Sequence, residues 1–246
     1  MAELVGIDIG GTGIKGAPVD VARGVLTADR LRLLTPQPAV PEAVAKVVAE
    51  VVGHFPADGP VGATFPAVIR RGRAESAANV DKSWIGEDVA ARLGDAAGRR
   101  VVVLNDADAA GLAEMRFGAG NGRGGLVMMV TLGTGIGTAM FIDGTLVPNT
   151  ELGHVELDGR EAEQRAAESV RERKALSWSK WGSRVDAYLR HLEMLLSPDL
   201  FIIGGGVSKK SAKFFPYLHT KAEIVPAQLL NEAGIVGAAV AAAESR

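Results

Sequence analysis

Apolar residues alternate with small or polar ones through Leu4-Val5-Gly6-Ile7-Asp8-Ile9, the period of a β-strand. Gly10-Gly11-Thr12-Gly13 interrupts the pattern and Ile14 to Asp20 resumes it. Pro18 and the β-type residues around it predict strand, glycine turn, strand, not strand, turn, helix. Pro41 opens an amphipathic helix with Val44, Val47, Val48, Val51 and Phe55 on one face. Strand-like runs over 61–65 and 101–104 bracket a shorter helix around Ile85, Val89 and Leu93. After Asn105-Asp106 the pattern is helical through Met115, and the glycines from Gly118 to Gly125 read as a hinge or turn, a candidate lobe boundary.

The second half opens with strand patterns over 126–132 and 138–142, again split by glycines. The polar stretch 158–181 reads mostly as exposed helix. A stronger helix follows, with Val185, Tyr188, Leu189, Leu192, Leu195 and Leu196 as its apolar stripe and Ser197-Pro198 as its end. A short buried strand, 200–203, runs into Gly204-Gly205-Gly206, and an alanine-rich helix over 233–243 closes the pattern. Alternating strands and helices indicate an α/β fold.

Two segments repeat. Gly11-Thr12-Gly13-Ile14 with Ala17 matches Gly133-Thr134-Gly135-Ile136 with Ala139, each between an apolar strand and another strand. This predicts a duplicated lobe, each copy presenting a glycine hairpin toward a shared cleft.

Composition narrows the classes. The chain has 246 residues, 47% hydrophobic, and 27 Lys plus Arg against 29 Asp plus Glu, for a net charge of −2. That near balance argues against a protein that coats nucleic acid, so none is expected as a partner. With no cysteine there is no disulfide framework, thiolate zinc site or cysteine nucleophile. The first residues lack a signal peptide's basic and apolar regions. No apolar run approaches the roughly 20 residues that span a bilayer. A soluble cytoplasmic protein without a membrane partner is expected.

The glycine turns suggest phosphate binding. Glycine reaches positive φ and lets a ligand approach without a Cβ in the way, and successive amides in such a turn converge on an anion. Thr12 or Thr134 adds a hydroxyl and Lys15 a charge; the alternative is an ordinary tight hairpin turn. Gly11-x-Gly13-x-x-Gly16 also fits a dinucleotide fingerprint, but that requires a helix where Pro18 and β-type residues stand. Asp8, between Ile7 and Ile9, needs a partner for its charge, and Mg²⁺ held by phosphate or through water supplies one; a solvent-facing strand end is the alternative. Asp106 ends a strand, where ligands gather in α/β sheets. It reads as a general base for a substrate hydroxyl attacking phosphorus, or it and Asn105 merely cap the next helix. Asn105, Glu151 and His154 suit sugar hydroxyls. Asn79, Asp81 and Lys82 form a further polar set or a solvated loop.

Asp8-Ile9-Gly10-Gly11-Thr12, Leu104-Asn105-Asp106-Ala107, Gly133-Thr134-Gly135-Ile136-Gly137, Glu151-Leu152-Gly153-His154 and Gly204-Gly205-Gly206 together resemble the ROK (repressor, open reading frame, kinase) sugar-kinase family. The resemblance runs from Asp8 to Gly234-Ile235-Val236-Gly237-Ala238 and implies the two-lobed actin-like ATPase fold, a duplicated ribonuclease H-like α/β architecture. It places residues 1–104 with a returning helix 235–246 in a small lobe and 105–234 in a large one. Lobe closure would expel water before transfer.

Typical members follow Glu-Leu-Gly-His with a cysteine-rich zinc motif ending in a sugar-binding glutamate. Here 158–163 holds no cysteine, so no zinc site is implied; Glu163 best matches that glutamate and Glu168 is a second candidate. Asn79-Val80-Asp81-Lys82-Ser83-Trp84, residues 131–139 and residues 197–206 resemble the branch that moves a phosphoryl group from inorganic polyphosphate, and in many cases ATP, to the 6-hydroxyl of glucose with Mg²⁺.

The resemblance implies Asp106 as the base, with Asn79, Asn105, Glu151, His154 and Glu163 on glucose. It implies Gly10, Gly11, Thr12, Gly13, Thr134, Gly135, Gly204, Gly205 and Gly206 on phosphoryl groups, and a homodimer. Thr64-Phe65-Pro66 departs from the family's usual glycine-proline-glycine loop, which puts its sugar role in doubt. Lys209, Lys210 and Lys213, or the early Arg70, Arg71 and Arg73, offer charge for a long polyanion; the lysines are favoured because a helix N-terminus would add to them, the alternative being a solvated helix face. Rival readings are an ATP-only hexokinase, a sugar-sensing repressor and an actin-like filament protein. The glycine strand at Leu4 leaves no room for a repressor's helix-turn-helix, and Asn105-Asp106 with the Glu151–His154 cluster argues against a filament.

Overall fold

The computed structural model describes residues 3–77 and 80–245. It divides into two compact units, residues 1–113 with 232–246 and residues 114–231. The first contains β1 (Glu3–Ile9), β2 (Ile14–Asp20), β3 (Val25–Leu26), β4 (Leu31–Leu33), α1 (Pro41–Gly53), β5 (Val61–Phe65), β6 (Ile69–Arg70), β7 (Arg73–Ala74), α2 (Val89–Ala97), β8 (Val101–Asn105) and most of α3 (Asp106–Phe117). The second contains β9 (Leu126–Leu132), β10 (Ile136–Ile142), β11 (Thr145–Val147), β12 (Glu156–Leu157), β13 (Arg160–Glu161), α4 (Glu163–Ala166), α5 (Glu168–Arg173), α6 (Trp178–Leu196), β14 (Leu200–Gly204) and β15 (Glu223–Pro226). The last helix, α7 (Ala233–Glu244), returns to the first unit.

The repeat read from the glycines is a repeat of topology. The first sheet runs β3-β2-β1-β5-β8 and the second β11-β10-β9-β14-β15. In each, a hairpin of two seven-residue strands (β1–β2, β9–β10) is followed by two parallel strands. Ile14 and Ile136, equivalent in the repeat, both begin the return strand.

Close backbone approach explains several glycines of the first unit. A Cβ on Gly6 would strike the Ile235 carbonyl, one on Gly62 the Ala238 carbonyl, and one on Gly237 the Ala109 carbonyl. Strands β1 and β5 and helix α3 thus press main chain to main chain on α7, an approach that side chains forbid. This corrects the lobe boundary. The division expected at 104 and 235 falls after Ala113 and before Glu232, because α3 is held against α7 from Ala109. The units are nearly equal in length, not small and large, and residues 118–125 form a turn inside the second.

Each unit has its own apolar core: Ile7, Val48, Phe65 and Trp84 stand in the first, and Val130, Trp181, Leu189 and Phe201 in the second. The stretch expected to be mostly exposed helix, 158–181, is instead a β12–β13 hairpin and two short helices. Ala167, extended at φ −59° and ψ 151°, separates α4 from α5. The buried Trp181 indole donates to the Ala166 and Ala167 carbonyls, at 2.9 and 3.2 Å, which stabilises the break. Ile85 lies outside α2, which starts after Asp88 accepts the Ala91 amide. Among the described residues, no helix is long and apolar enough to cross a membrane.

Candidate active site

Parallel strands carry the first unit's chemistry to one edge. Asp8, Thr64 and Leu104 lie side by side across β1, β5 and β8, so the first glycine turn and Asn105-Asp106 leave the sheet from the same end. Asp8 is half-buried, and its need for a partner is met within the fold. Lys15 Nζ lies 2.9 Å from Oδ2, and the Thr64 hydroxyl donates to Oδ1 at 3.0 Å while accepting the Ile9 amide at 3.1 Å. Lys15, expected on phosphate, is thus also the counter-ion of Asp8, and Thr64 orients that carboxylate.

The first glycine turn closes with the Gly10 amide donating to the Gly13 carbonyl at 3.1 Å. Neither Gly10, Gly11 and Gly13 nor Gly133 and Gly135 takes a positive φ, so the left-handed nest expected of them is absent. Room for a neighbouring side chain is what Gly13 and Gly135 provide. A Cβ on Gly13 would come within 2.9 Å of the Arg32 side chain, whose guanidinium also donates to the Thr12 carbonyl at 3.4 Å. Arg32, an exposed cation beside the turn, has no motif around it and was not anticipated from sequence.

Asn105 and Asp106 both accept the amide of Ala107 at the start of α3. Buried Asn105 does the capping: its Oδ1 accepts the Ala107 amide at 2.8 Å and the Asp108 amide at 3.3 Å, and its Nδ2 donates to the Ala67 carbonyl at 3.1 Å. Asp106, the first residue of α3, is exposed and accepts the Ala107 amide at 2.9 Å. Asn79 lies outside the described residues. Asp81 accepts the Ser83 amide at 2.8 Å as a cap, and hydrogen bonds from Ser83 hold its carboxyl below the usual range. Of the early arginines, Arg73 is engaged by Asp88 at 3.5 Å.

In the second unit, Glu163 fills the turn between β9 and β10. Its Oε2 accepts the Ile136 amide at 3.4 Å and occupies the space a Cβ on Gly135 would need. Ser169 fastens the same turn, its amide donating to the Gly133 carbonyl and its hydroxyl to the Thr134 carbonyl at 3.1 and 2.7 Å. Thr134 itself is exposed. His154 stands between carboxylates, Nε2 3.8 Å from Glu151 and Nδ1 3.4 Å from Glu161. Burial pushes the Glu151 carboxyl up; His154 opposes this and Glu163 adds to it. His154, Glu161 and Glu163 bring ligand-type atoms within 4.8 Å of one another, and the chain has no cysteine to add a thiolate to them.

The third glycine turn adjoins the second. Gly204 pairs with Thr131, Gly205 takes φ +85°, and a Cβ on Gly205 would strike the Leu132 carbonyl. Glu168, the second glutamate candidate, lies beside this turn, its Oε2 3.9 Å from where a Gly206 Cβ would stand. The following lysines lie on a 3-10 segment, Gly206–Lys213, kinked at Lys210, so the α-helix dipole expected to aid them is missing.

The ROK family model matches residues 4–169. A polyphosphate glucokinase of Mycobacterium tuberculosis (strain H37Rv) is 54% identical over 237 residues, 96% of this chain and 89% of that protein. The Mycobacterium leprae protein of the same name is 51% identical, over 96% and 73% of the two chains. Among solved structures, an inorganic polyphosphate/ATP-glucomannokinase from Arthrobacter sp. strain KM is 54% identical with a TM-score of 0.95, each chain covered in full. A ROK family glucokinase from Streptomyces griseus, solved with glucose and AMPPNP, is 26% identical with a TM-score of 0.81, over 97% and 98% of the chains.

Proposed function

The chain belongs to the ROK family and has its duplicated α/β actin-like ATPase fold, and we propose that it transfers the terminal phosphoryl group of inorganic polyphosphate, or of ATP, to the 6-hydroxyl of glucose. The observation that carries this reading is likeness, sustained along nearly the whole chain, to proteins named as a polyphosphate glucokinase and an inorganic polyphosphate/ATP-glucomannokinase.

Asp106 accepts the 6-hydroxyl proton as that oxygen attacks the terminal phosphorus. The new oxygen–phosphorus bond forms as the bond to the bridging oxygen breaks, leaving glucose 6-phosphate and a donor one phosphoryl shorter. Asp106 suits the role because it is exposed while Asn105 does the capping. Glu151, His154 and Glu163, with Asn79 and the remaining Asn105 N–H, hold sugar hydroxyls. Backbone at Gly10–Gly13, Thr134-Gly135 and Gly204–Gly206, with Thr12, Lys15 and Arg32, faces the phosphoryl groups.

The residues fit a Mg²⁺ ion carried largely by the donor. Asp8 is one half-buried carboxylate fixed by Lys15 and Thr64, and Mg²⁺ takes one or two carboxylates alongside substrate oxygens. When bound, the ion neutralises charge on the transferring group. A cytoplasmic homodimer completes the reading; Met194 and Leu195, 69% and 53% exposed on α6, offer apolar surface for a second copy.

Purified protein assayed for glucose 6-phosphate with each donor separately tests the proposal. Product from polyphosphate is expected. Product from ATP alone would overturn the donor, and none from either would overturn the activity. Mannose belongs in the same assay, because the Arthrobacter match is named a glucomannokinase.

A further inference from the structure

Trp178, at the start of α6, gathers three cations around its ring. The Arg171 guanidinium carbon lies 4.1 Å from the ring centroid, Lys213 Nζ 5.6 Å and Lys210 Nζ 5.9 Å. The Arg171 side chain is only 16% exposed, whereas Lys210 and Lys213 are exposed. We propose that this cation-lined aromatic platform binds the trailing part of an inorganic polyphosphate chain, beyond the phosphoryl groups at the glycine turns. The proposal rests on the donor reading above.

Charge requires an occupant of opposite sign. Cations held around one ring repel one another at distances comparable with the roughly 10 Å over which salt screens. Two acids stand nearby: Glu172, with Oε1 3.4 Å from Arg171, and Glu168. Burial and Glu172 push the Glu168 carboxyl up, against the pull of Lys210 and Arg171, which weakens it as a counter-ion. With the exposed Lys209 beside them, the cations outnumber these acids.

Position points to the donor. Glu168 and Arg171 share α5, and Glu168 reaches toward Gly206, so the third glycine turn and the platform adjoin through one helix. A chain leaving that turn needs no long detour to meet the lysines.

The ring's surroundings favour a polyphosphate over a nucleoside. Arg171 covers the Trp178 ring at 4.1 Å, Phe214 stacks beside it at 6.3 Å with 18° between planes, and Trp181 packs edge-on at 5.8 Å. A base has little open ring on which to stack. Trp178 instead pins long, flexible cationic side chains, lowering the entropy lost when they meet an anion.

The test uses the full chain with Lys210→Ala/Lys213→Ala together, and Lys213→Glu alone as a milder surface change. KM is measured for long-chain polyphosphate, tripolyphosphate and ATP, at low and high salt. Long-chain KM should rise about tenfold or more and lose much of its salt dependence, while KM for tripolyphosphate and ATP moves by about twofold or less. An equal rise for all three donors, or no rise for the long chain, would overturn the platform. Wild-type protein that uses ATP but no polyphosphate would instead sink the donor reading itself.

Discussion

Lys15 Nζ sits 2.9 Å from Asp8 Oδ2, across the two strands that the first glycine turn joins. The pair is partly exposed, so it contributes at most about 1 kcal/mol to stability. Its consequence lies in orientation: Thr64 holds the other carboxylate oxygen at 3.0 Å. Asp8→Asn keeps the shape and removes the charge. We expect a melting temperature within a few degrees of the parent, turnover lowered by roughly tenfold to a hundredfold, and more Mg²⁺ needed for half-maximal rate. A Mg²⁺ titration of initial rates checks this. An unchanged curve with unchanged turnover would remove Asp8 from the donor chemistry.

Asn105 and Asp106 are neighbours with separable duties. Asp106→Ala should lower kcat by about 10²–10⁴-fold and cost less stability than Asn105→Ala, because Asn105 accepts two amides of the first turn and Asp106 only that of its neighbour. Asn105→Ala removes an acceptor from two amides and a donor from the Ala67 carbonyl, and should cost about 1–2 kcal/mol of stability. Thermal melts beside steady-state kinetics resolve the two. If Asp106→Ala melts early and turns over normally, Asp106 is a helix cap and not the base.

Much of this was legible in the residues, and the omissions have physical causes. Seven-residue hairpin strands and the nineteen-residue α6 carry enough period to show through. Strands of two or three residues, such as β3 and β4, carry none. The glycines pointed to the right turns for an incomplete reason. Conformational freedom explains Gly205, whereas Gly13 and Gly135 make space for Arg32 and Glu163, and Gly6, Gly62 and Gly237 let main chains touch. Such proximity is tertiary, and sequence spacing does not record it. The same holds at the site: Glu163 and Glu168 are first and second candidates for one position in sequence, yet one lies at the second turn and the other at the third.

Glu151 supplies a pH dependence. Burial raises its carboxyl above the ordinary 4.5, so it keeps its proton to higher pH than a solvated glutamate. In its proposed role as an acceptor for sugar hydroxyls the ionised carboxylate is the stronger partner, so glucose affinity should fall as pH drops through that raised value. The limb belongs to KM for glucose and not to kcat, where the proposed base Asp106 would act. A carboxyl whose pKa is raised by folding opposes folding once ionised, and increasingly as pH rises. Glu151→Gln should therefore raise glucose KM about tenfold and flatten its acid limb. It should also melt higher than the parent near pH 7 but not at pH 4. Melts displaced equally at both pH values would refute the burial argument.

Glu114 is an anchor that no motif announces. It is fully buried; Oε1 accepts the Gln228 and Leu229 amides at 2.8 and 2.7 Å, and Oε2 accepts the Ala119 amide at 2.9 Å. One carboxylate thus ties the end of α3 to a loop more than a hundred residues away, and Gly118 is bare of a side chain where the carboxylate packs. Glu114→Ala strands three amide donors and should cost about 3–5 kcal/mol; Glu114→Gln, which keeps one acceptor oxygen, should cost less. Because the residue touches no proposed substrate group, kcat of the folded fraction at low temperature should stay near the parent value. Denaturant melts with activity measured on the same samples decide it: a stable Glu114→Ala protein would mean those amides have other partners, and a stable but inactive one would move Glu114 into the chemistry.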